Sequence, residues 1–131
     1  MSRTVFIVED DVDTREMLGR FLELEGYEVE SAPNGKAALE RLDAGSPACV
    51  ILLDLMMPEM DGFQVVEALR ERDGWRSIPI VVVTAKNLTA EDHSRLNGYV
   101  EKILQKGAYS REALLAEIRD LVTAYIARQE S

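Results

Sequence analysis

The sequence predicts an α/β fold: a single doubly wound (βα)5 domain with a parallel five-stranded sheet. Three observations lead to this prediction. The length of 131 residues suits one domain, short β-branched runs recur along the chain, and a helical pattern occupies the interval after each run. Alternation of this kind requires right-handed crossovers and a parallel sheet with helices on both faces.

The strands are predicted from five short apolar runs. Residues 5–8, 50–53 and 80–83 are largely β-branched and uninterrupted by polar residues, which indicates strands buried on both faces. Residues 27–30 alternate and residues 102–105 are apolar only in the middle, so these two runs suit the edges of a sheet. We therefore expect the strand order 2-1-3-4-5.

The helices are predicted from apolar periodicity and from residues that cap or end helices. The five predicted helices are residues 14–25 before Gly26, a helix capped by Asn34 and closed by Gly45, a helix capped by Asp61 and ended by Asp73-Gly74, residues 89–97, and a helix that begins at Ser110. We find no linker, low-complexity tract or repeat beyond the βα alternation. We expect residues 1–131 to be one domain.

The composition excludes several classes of protein. Fifteen Lys and Arg against twenty-four Asp and Glu leave a net charge of −9, which disfavours direct binding of nucleic acid or of anionic membranes. No apolar run is long enough to span a bilayer, and no signal peptide is recognisable. The single cysteine, Cys49, excludes an internal disulfide and suits a reducing cytoplasm. With one histidine and one cysteine, a metal would have to be bound by oxygen.

Polar side chains follow the predicted strands at their carboxyl ends, where ligands bind in open α/β sheets. Glu9 and Asp10 follow the first strand, Asp54 ends the third, Thr84 ends the fourth, and Lys106 follows the fifth. Converging carboxylates repel one another and resist desolvation, so they need a counter-charge. A hard divalent cation such as Mg²⁺ supplies it with a preference for oxygen ligands.

These residues lie in segments that resemble a known family. The segments are Val8-Glu9-Asp10-Asp11, Leu52-Leu53-Asp54-Leu55-Met56-Met57-Pro58, Met60-Asp61-Gly62, Val82-Val83-Thr84-Ala85 and Lys106. Together they resemble the receiver domain of two-component response regulators, of the chemotaxis type and flavodoxin-like in fold, over about residues 3 to 126. The separations of 44, 30 and 22 residues from Asp10 through Asp54 and Thr84 to Lys106 are typical of that family.

The resemblance implies a role for each matched residue. It makes Asp54 the phosphoacceptor, whose carboxylate attacks a phosphohistidine and becomes an acyl phosphate. It also implies a site for Mg²⁺, with Mn²⁺ as a possible substitute, that has Asp54 and Asp10 as direct ligands, Glu9 bound through water, and the backbone carbonyl of Met56 as a further ligand. Thr84 would bond the phosphoryl group and Lys106 would pair with it.

The implied function is a phospho-acceptor signalling switch without an output domain of its own. The expected partners are a sensor histidine kinase or histidine phosphotransfer protein, and a downstream protein at the face of the fourth helix, fifth strand and fifth helix. Catalysis is expected only on its own phosphorylation and dephosphorylation, in the cytoplasm. An alternative is a receiver domain excised from a hybrid histidine kinase or a larger regulator.

The chain departs from the family pattern near its fifth strand. Gly107 follows Lys106, where most receivers have proline, and Lys102 is a competing candidate for the lysine. Lys102 would shorten the spacing from Thr84 by four residues, so Lys106 is favoured. Ile103 stands where many receivers place Tyr or Phe, which makes coupling through an aromatic switch doubtful.

Two other classes of function deserve comparison. An aspartate-nucleophile phosphatase of the haloacid-dehalogenase type needs a second Asp two residues after the nucleophile, and that position is Met56, which cannot transfer a proton. A flavodoxin-like FMN carrier needs Ser, Thr and Gly donors in its first loop, whereas residues 9–13 are mostly acidic. Both alternatives are disfavoured.

Overall fold

The sheet has five parallel strands in the order expected from the sequence. A computed structural model describes residues 3–130, and its strands are β1 (Thr4–Val8), β2 (Glu28–Ala32), β3 (Ala48–Leu53), β4 (Ile80–Thr84) and β5 (Lys102–Gln105). The order is β2-β1-β3-β4-β5, and all four neighbouring pairs are parallel. The predicted doubly wound topology is confirmed.

Helices follow each strand and cover both faces of the sheet. They are α1 (Val12–Leu24), α2 (Gly35–Asp43), α3 (Gly62–Glu71), α4 (Ala90–Leu96) and α5 (Arg111–Glu130), with a short 3-10 turn at Lys106–Ala108. Within the described residues, no helix combines the length and the hydropathy that a membrane crossing requires.

Two apolar cores form because successive side chains of a strand point to opposite faces. Val5 and Ile7 of β1 pack with α1 and α5, through residues such as Leu22 and Ile118. Phe6 and Val8 point to the opposite core, which holds the buried side chains of α2, α3 and α4. The strand β1 is buried along its whole length, as its uninterrupted apolar sequence predicts.

Polar residues cap the helices next to the carboxyl ends of the strands. The side chains of Asp11, Asn34, Asp61 and Thr89 accept hydrogen bonds from backbone N–H groups in the first turns of α1, α2, α3 and α4. Ser110 does the same for α5 through the N–H of Ala113. Such caps satisfy donors that have no partner inside the helix and fix where each helix begins.

Some predicted boundaries differ from the structure. The second strand begins at Glu28 instead of residue 27, because the N–H of Tyr27 bonds to Leu22 O and its hydroxyl contacts Thr123 Oγ1 at 2.7 Å. The strand then continues to Ala32, where it pairs with the end of β1. The third helix ends at Glu71, before the predicted stop at Asp73-Gly74, because Arg72 already has an extended backbone.

Candidate functional site

The carboxyl ends of four neighbouring strands form the edge of the sheet where the predicted site residues stand. Glu9 follows β1, Asp54 follows β3, Thr84 is the last residue of β4, and Lys106 follows β5. Since these strands are adjacent in the order β1-β3-β4-β5, their ends lie side by side. The backbone N–H of Asp54 bonds to Val8 O at 3.0 Å, which ties the end of β3 to that of β1.

Three carboxylates form a cluster at this edge. Glu9, Asp10 and Asp54 each contribute an oxygen, and these atoms lie within 4.8 Å of one another. Glu9 and Asp54 are only 2% and 8% exposed, whereas Asp10 is exposed to solvent. One oxygen of Asp54, Oδ1, accepts a hydrogen bond from the N–H of Met56 at 3.2 Å, so the backbone of Met56 lies beside the cluster.

Lys106 supplies the cation in contact with this cluster. Its Nζ lies 2.8 Å from Glu9 Oε1 and 3.8 Å from Asp54 Oδ2. The competing candidate, Lys102, is the first residue of β5 and pairs with Val81, so it stands at the opposite end of that strand. The structure therefore brings Lys106 and not Lys102 to the carboxylates.

The carboxyl group of Glu9 has a strongly raised pKa. Burial raises the pKa of its carboxyl to about 8; Asp54 adds to this effect and Lys106 opposes it. Its Oε2 atom is buried and has no hydrogen-bond partner in the described structure. A desolvated carboxylate oxygen without a partner is stabilised by a cation. The all-oxygen donor set and this unpartnered atom fit a hard divalent ion such as Mg²⁺.

Thr84 is completely buried at the end of β4, the strand next to β3, which Asp54 follows. Its Oγ1 accepts a hydrogen bond from the N–H of Lys86 at 3.2 Å, which leaves the hydroxyl proton available to another acceptor. On the neighbouring strand, Ile103 pairs with Val82 and packs against the core. An aliphatic side chain thus occupies the position where an aromatic ring was expected from the family pattern.

The loop between β3 and α3 borders an open cleft of about 500 Å³ next to the carboxylates. The residues lining it are Asp10, Leu55, Met56, Met57, Pro58, Asp61, Phe63 and Lys86. Asp10 and Lys86 place opposite charges in this cleft, whereas the side chain of Met56 is apolar and 55% exposed. The cleft thus adjoins Asp10 and the residues that directly follow Asp54 in the chain.

The same loop depends on close backbone packing at Gly62. A Cβ atom on Gly62 would lie 2.6 Å from the carbonyl oxygen of Asp54 and 2.6 Å from Leu55 Cα. Its N–H bonds to Leu55 O at 3.1 Å, and Asp61 forms a capping box with Gln64. The first turn of α3 therefore presses directly against the end of β3 that carries Asp54.

Two sets of contacts near the site, those of Arg15 and of Lys86, were not predicted from the sequence. The guanidinium of Arg15 donates to Glu9 O at 2.8 Å and so fixes the backbone between β1 and α1. Lys86 bonds to Thr84 through its backbone and to Asp92 through its amine. Both contacts depend on side-chain conformations in the folded chain, which no local pattern of the sequence encodes.

Comparisons with known proteins identify the family of this chain. The family model described as the response regulator receiver domain matches residues 5–119. The transcriptional regulatory protein SrrA of Staphylococcus aureus is 42% identical over 99 residues, which are 76% of this chain and 38% of that protein. The chain thus spans little more than a third of the length of this curated relative.

Solved structures of similar fold come from several organisms. The chemotaxis protein CheY4 of Vibrio cholerae is 29% identical, with a TM-score of 0.78 over 92% of this chain and 98% of that one. The response regulator TrrA of Thermotoga maritima, solved in complex with Mg²⁺ and BeF, is 26% identical, with a TM-score of 0.75 over 93% of this chain and 99% of that one.

Proposed function

This chain belongs to the response regulator receiver domain family of two-component signalling, and on that premise we propose that Asp54 is its phosphorylated residue. The observation that carries the proposal is the contact of Asp54 with two further carboxylates and one amine. Glu9, Asp10 and Asp54 present oxygens within 4.8 Å of one another, and Lys106 Nζ lies 3.8 Å from Asp54.

In the proposed reaction, a carboxylate oxygen of Asp54 forms a bond to phosphorus while the bond from phosphorus to the donor's imidazole nitrogen breaks. Lys106, whose Nζ lies 3.8 Å from Asp54 Oδ2, would pair with the phosphoryl oxygens, and the buried hydroxyl of Thr84 would donate to them. Met56 N–H, which bonds to Asp54 Oδ1 at 3.2 Å, orients the nucleophile. These groups position charge and contribute no proton transfer of their own.

The carboxylates of Asp10 and Asp54 and the carbonyl of Met56 would hold Mg²⁺ or Mn²⁺, with Glu9 acting through water. Such an ion, when bound, offsets negative charge on the transferring oxygens. Asp10 is exposed and keeps one side of the cluster open to solvent. Glu9, with its buried and unpartnered Oε2, is the acid whose ionised form gains most from a neighbouring cation.

The proposed phosphoryl donor is a sensor histidine kinase or a histidine phosphotransfer protein in the cytoplasm. A downstream protein is proposed to bind the face made by α4, β5 and α5. A groove of about 440 Å³, lined by residues of α4, of the loop after it and of β5, supports the second proposal. Tyr99, in the loop between α4 and β5, is 47% exposed.

We propose that residues 1–131 act as a receiver domain and as a switch, with catalysis limited to their own phosphorylation and dephosphorylation. The phosphatase alternative requires a general acid two residues after Asp54. That residue, Met56, contributes a backbone N–H to Asp54 and an apolar side chain to the cleft. Neither group can protonate a leaving alcohol.

Incubation with acetyl phosphate, followed by mass spectrometry of the intact protein, tests this function. We expect one phosphoryl group per chain in the presence of Mg²⁺, and none with excess chelator. Asp54→Asn should abolish labelling, because an amide is a poor nucleophile, while Asp120→Asn, an exposed acid on α5, should label as the wild type does. Equal labelling of Asp54→Asn, or undiminished labelling in chelator, would overturn the proposal.

A further inference from the structure

The backbone of Lys86 is hydrogen-bonded to Thr84 and to Gln105, the residue before Lys106. Its N–H donates to Thr84 Oγ1 at 3.2 Å, and its carbonyl accepts a hydrogen bond from Gln105 Nε2 at 3.3 Å. Gln105 directly precedes Lys106 in the chain and pairs with Thr84 across the sheet. A displacement of Thr84 or of the end of β5 therefore changes the position of residue 86.

The side chain of Lys86 connects the same residue to the beginning of α4. Its Nζ lies 3.2 Å from Asp92 Oδ2, and that same oxygen accepts the N–H of Thr89 at 3.0 Å. The hydroxyl of Thr89 in turn accepts the N–H of Asp92 at 3.1 Å, which completes the capping box of α4. One carboxylate oxygen thus serves both the helix cap and the ion pair.

The Lys86–Asp92 pair is partly shielded from water, with side-chain exposures of 35% and 14%. The Thr89 N–H above all, and Lys86 in addition, hold the pKa of the Asp92 carboxyl below its usual range. Asp92 is therefore ionised at neutral pH. Within α4 only Leu96 is fully buried, so polar contacts contribute much of the free energy that holds this helix in its position.

We propose that Lys86 and Asp92 are positioning residues that transmit the state of Thr84 to α4. The inference rests on the proposed phosphorylation of Asp54. A phosphoryl group adds three strong acceptors and about −1.5 to −2 charges, which draw the Thr84 hydroxyl toward the site and away from the Lys86 N–H. Residue 86 then shifts, the ion pair with Asp92 opens, and the cap of α4 changes. Ile103 offers no aromatic ring for another route.

Amide chemical shifts of the full chain with Mg²⁺, before and after beryllofluoride, test this coupling. In the wild type, the amides of Met56 and Thr84 should shift because they report the site, and those of Thr89 and Asp92 should shift because they report the cap. In Lys86→Met, the site amides should respond as before, while the response at Thr89 and Asp92 should be lost. Lys86→Arg keeps the ion pair, so the amides of Thr89 and Asp92 should respond to beryllofluoride as they do in the wild type.

Matched variants separate the pair from general effects of charge. Asp92→Asn, which keeps an acceptor for the Thr89 N–H, should lose the response of the cap as Lys86→Met does. Glu91→Gln removes the same charge from the preceding residue of α4, where the side chain is exposed, and should keep the response of Thr89 and Asp92. Lys102→Met, an exposed lysine of β5, should keep it as well.

Binding affinity provides a second readout that a purely structural role would not change. The double variant Lys86→Met/Asp92→Asn has the wild-type net charge but no ion pair to open. Because coupling is reciprocal, it should bind beryllofluoride about 1.5- to 5-fold more tightly, the range expected for a partly exposed ion pair.

Unchanged affinity, or cap amides that respond equally in Lys86→Met and wild type, would overturn the inference alone. Silent site amides in the wild type would overturn the proposed function as well.

Discussion

Replacing Glu9 with Gln should change how the stability of the fold depends on pH in the absence of divalent metal. The Glu9 carboxyl is buried, has an unpartnered Oε2, and has a pKa raised to about 8 by burial above all. Lys106, 2.8 Å from Oε1, offsets only part of this effect. Gln has nearly the same shape and does not titrate, so the substitution removes the charge and keeps the packing.

The direction of this pH dependence follows from the pH at which Glu9 releases its proton in the folded and in the unfolded chain. In the unfolded chain Glu9 loses its proton above the ordinary value of 4.5, whereas in the folded chain it keeps it until about pH 8. The wild type therefore has its full free energy of unfolding below the ordinary pKa of 4.5. This free energy falls as the pH rises from 4.5 to about 8, and the whole loss is present above about pH 8. At roughly 1.4 kcal/mol per pKa unit, the loss has a ceiling of about 4–5 kcal/mol.

Urea denaturation in chelator, followed by circular dichroism between about pH 5 and pH 8, measures this loss. We expect the stability of Glu9→Gln relative to wild type to rise with pH by about 1–4 kcal/mol, below the ceiling because Lys106 and Asp54 can rearrange. Glu40→Gln, an exposed acid on α2, should show no such trend. A difference between Glu9→Gln and wild type that stays constant across this range would refute the reasoning.

Two further variants examine the site. Gly62→Ala should lower the free energy of unfolding by about 1–3 kcal/mol in the same assay, because its Cβ would lie 2.6 Å from Asp54 O, whereas Gly74→Ala, with open space around it, should be close to neutral. Asp10→Asn should weaken Mg²⁺ binding about tenfold or more in calorimetric titration, the loss typical of metal-site residues. Unaltered Mg²⁺ affinity would contradict the assignment of Asp10 as a direct ligand.

The strand order was predictable from the sequence because strands that are buried on both faces consist largely of apolar residues. The central strands β1, β3 and β4 are largely β-branched and apolar, while β2 and β5 carry charged residues on the sides that face water. The start of β2 was not predictable. It depends on Tyr27, whose hydroxyl contacts Thr123 across 96 positions of sequence, a contact that exists only after the fold has formed.

The site shows the same division between backbone topology and side-chain contacts. The positions of Glu9, Asp54, Thr84 and Lys106 follow from where strands end, and parallel topology brings such ends together. Side-chain bridges have no comparable trace in the sequence. Arg70, for example, donates to Tyr99 O at 2.7 Å and to Arg76 O at 2.6 Å, joining two loops through a geometry that only the folded chain defines.

The anchoring of α4 is compatible with the proposed movement of this helix on phosphorylation of Asp54. Burial of Leu96 contributes about 2 kcal/mol, so a motion that exposes it is costly. The other anchors are polar: Arg95 pairs with Glu67 at 2.9 Å and lies over the ring of Phe63, and Asp92 pairs with Lys86. Such partly exposed pairs contribute about 0–1 kcal/mol each, whereas one new hydrogen bond to a charged phosphoryl oxygen contributes about 1.5–3 kcal/mol. A rotation of α4 that keeps Leu96 buried and exchanges its ion pairs therefore lies within the free energy that phosphorylation supplies.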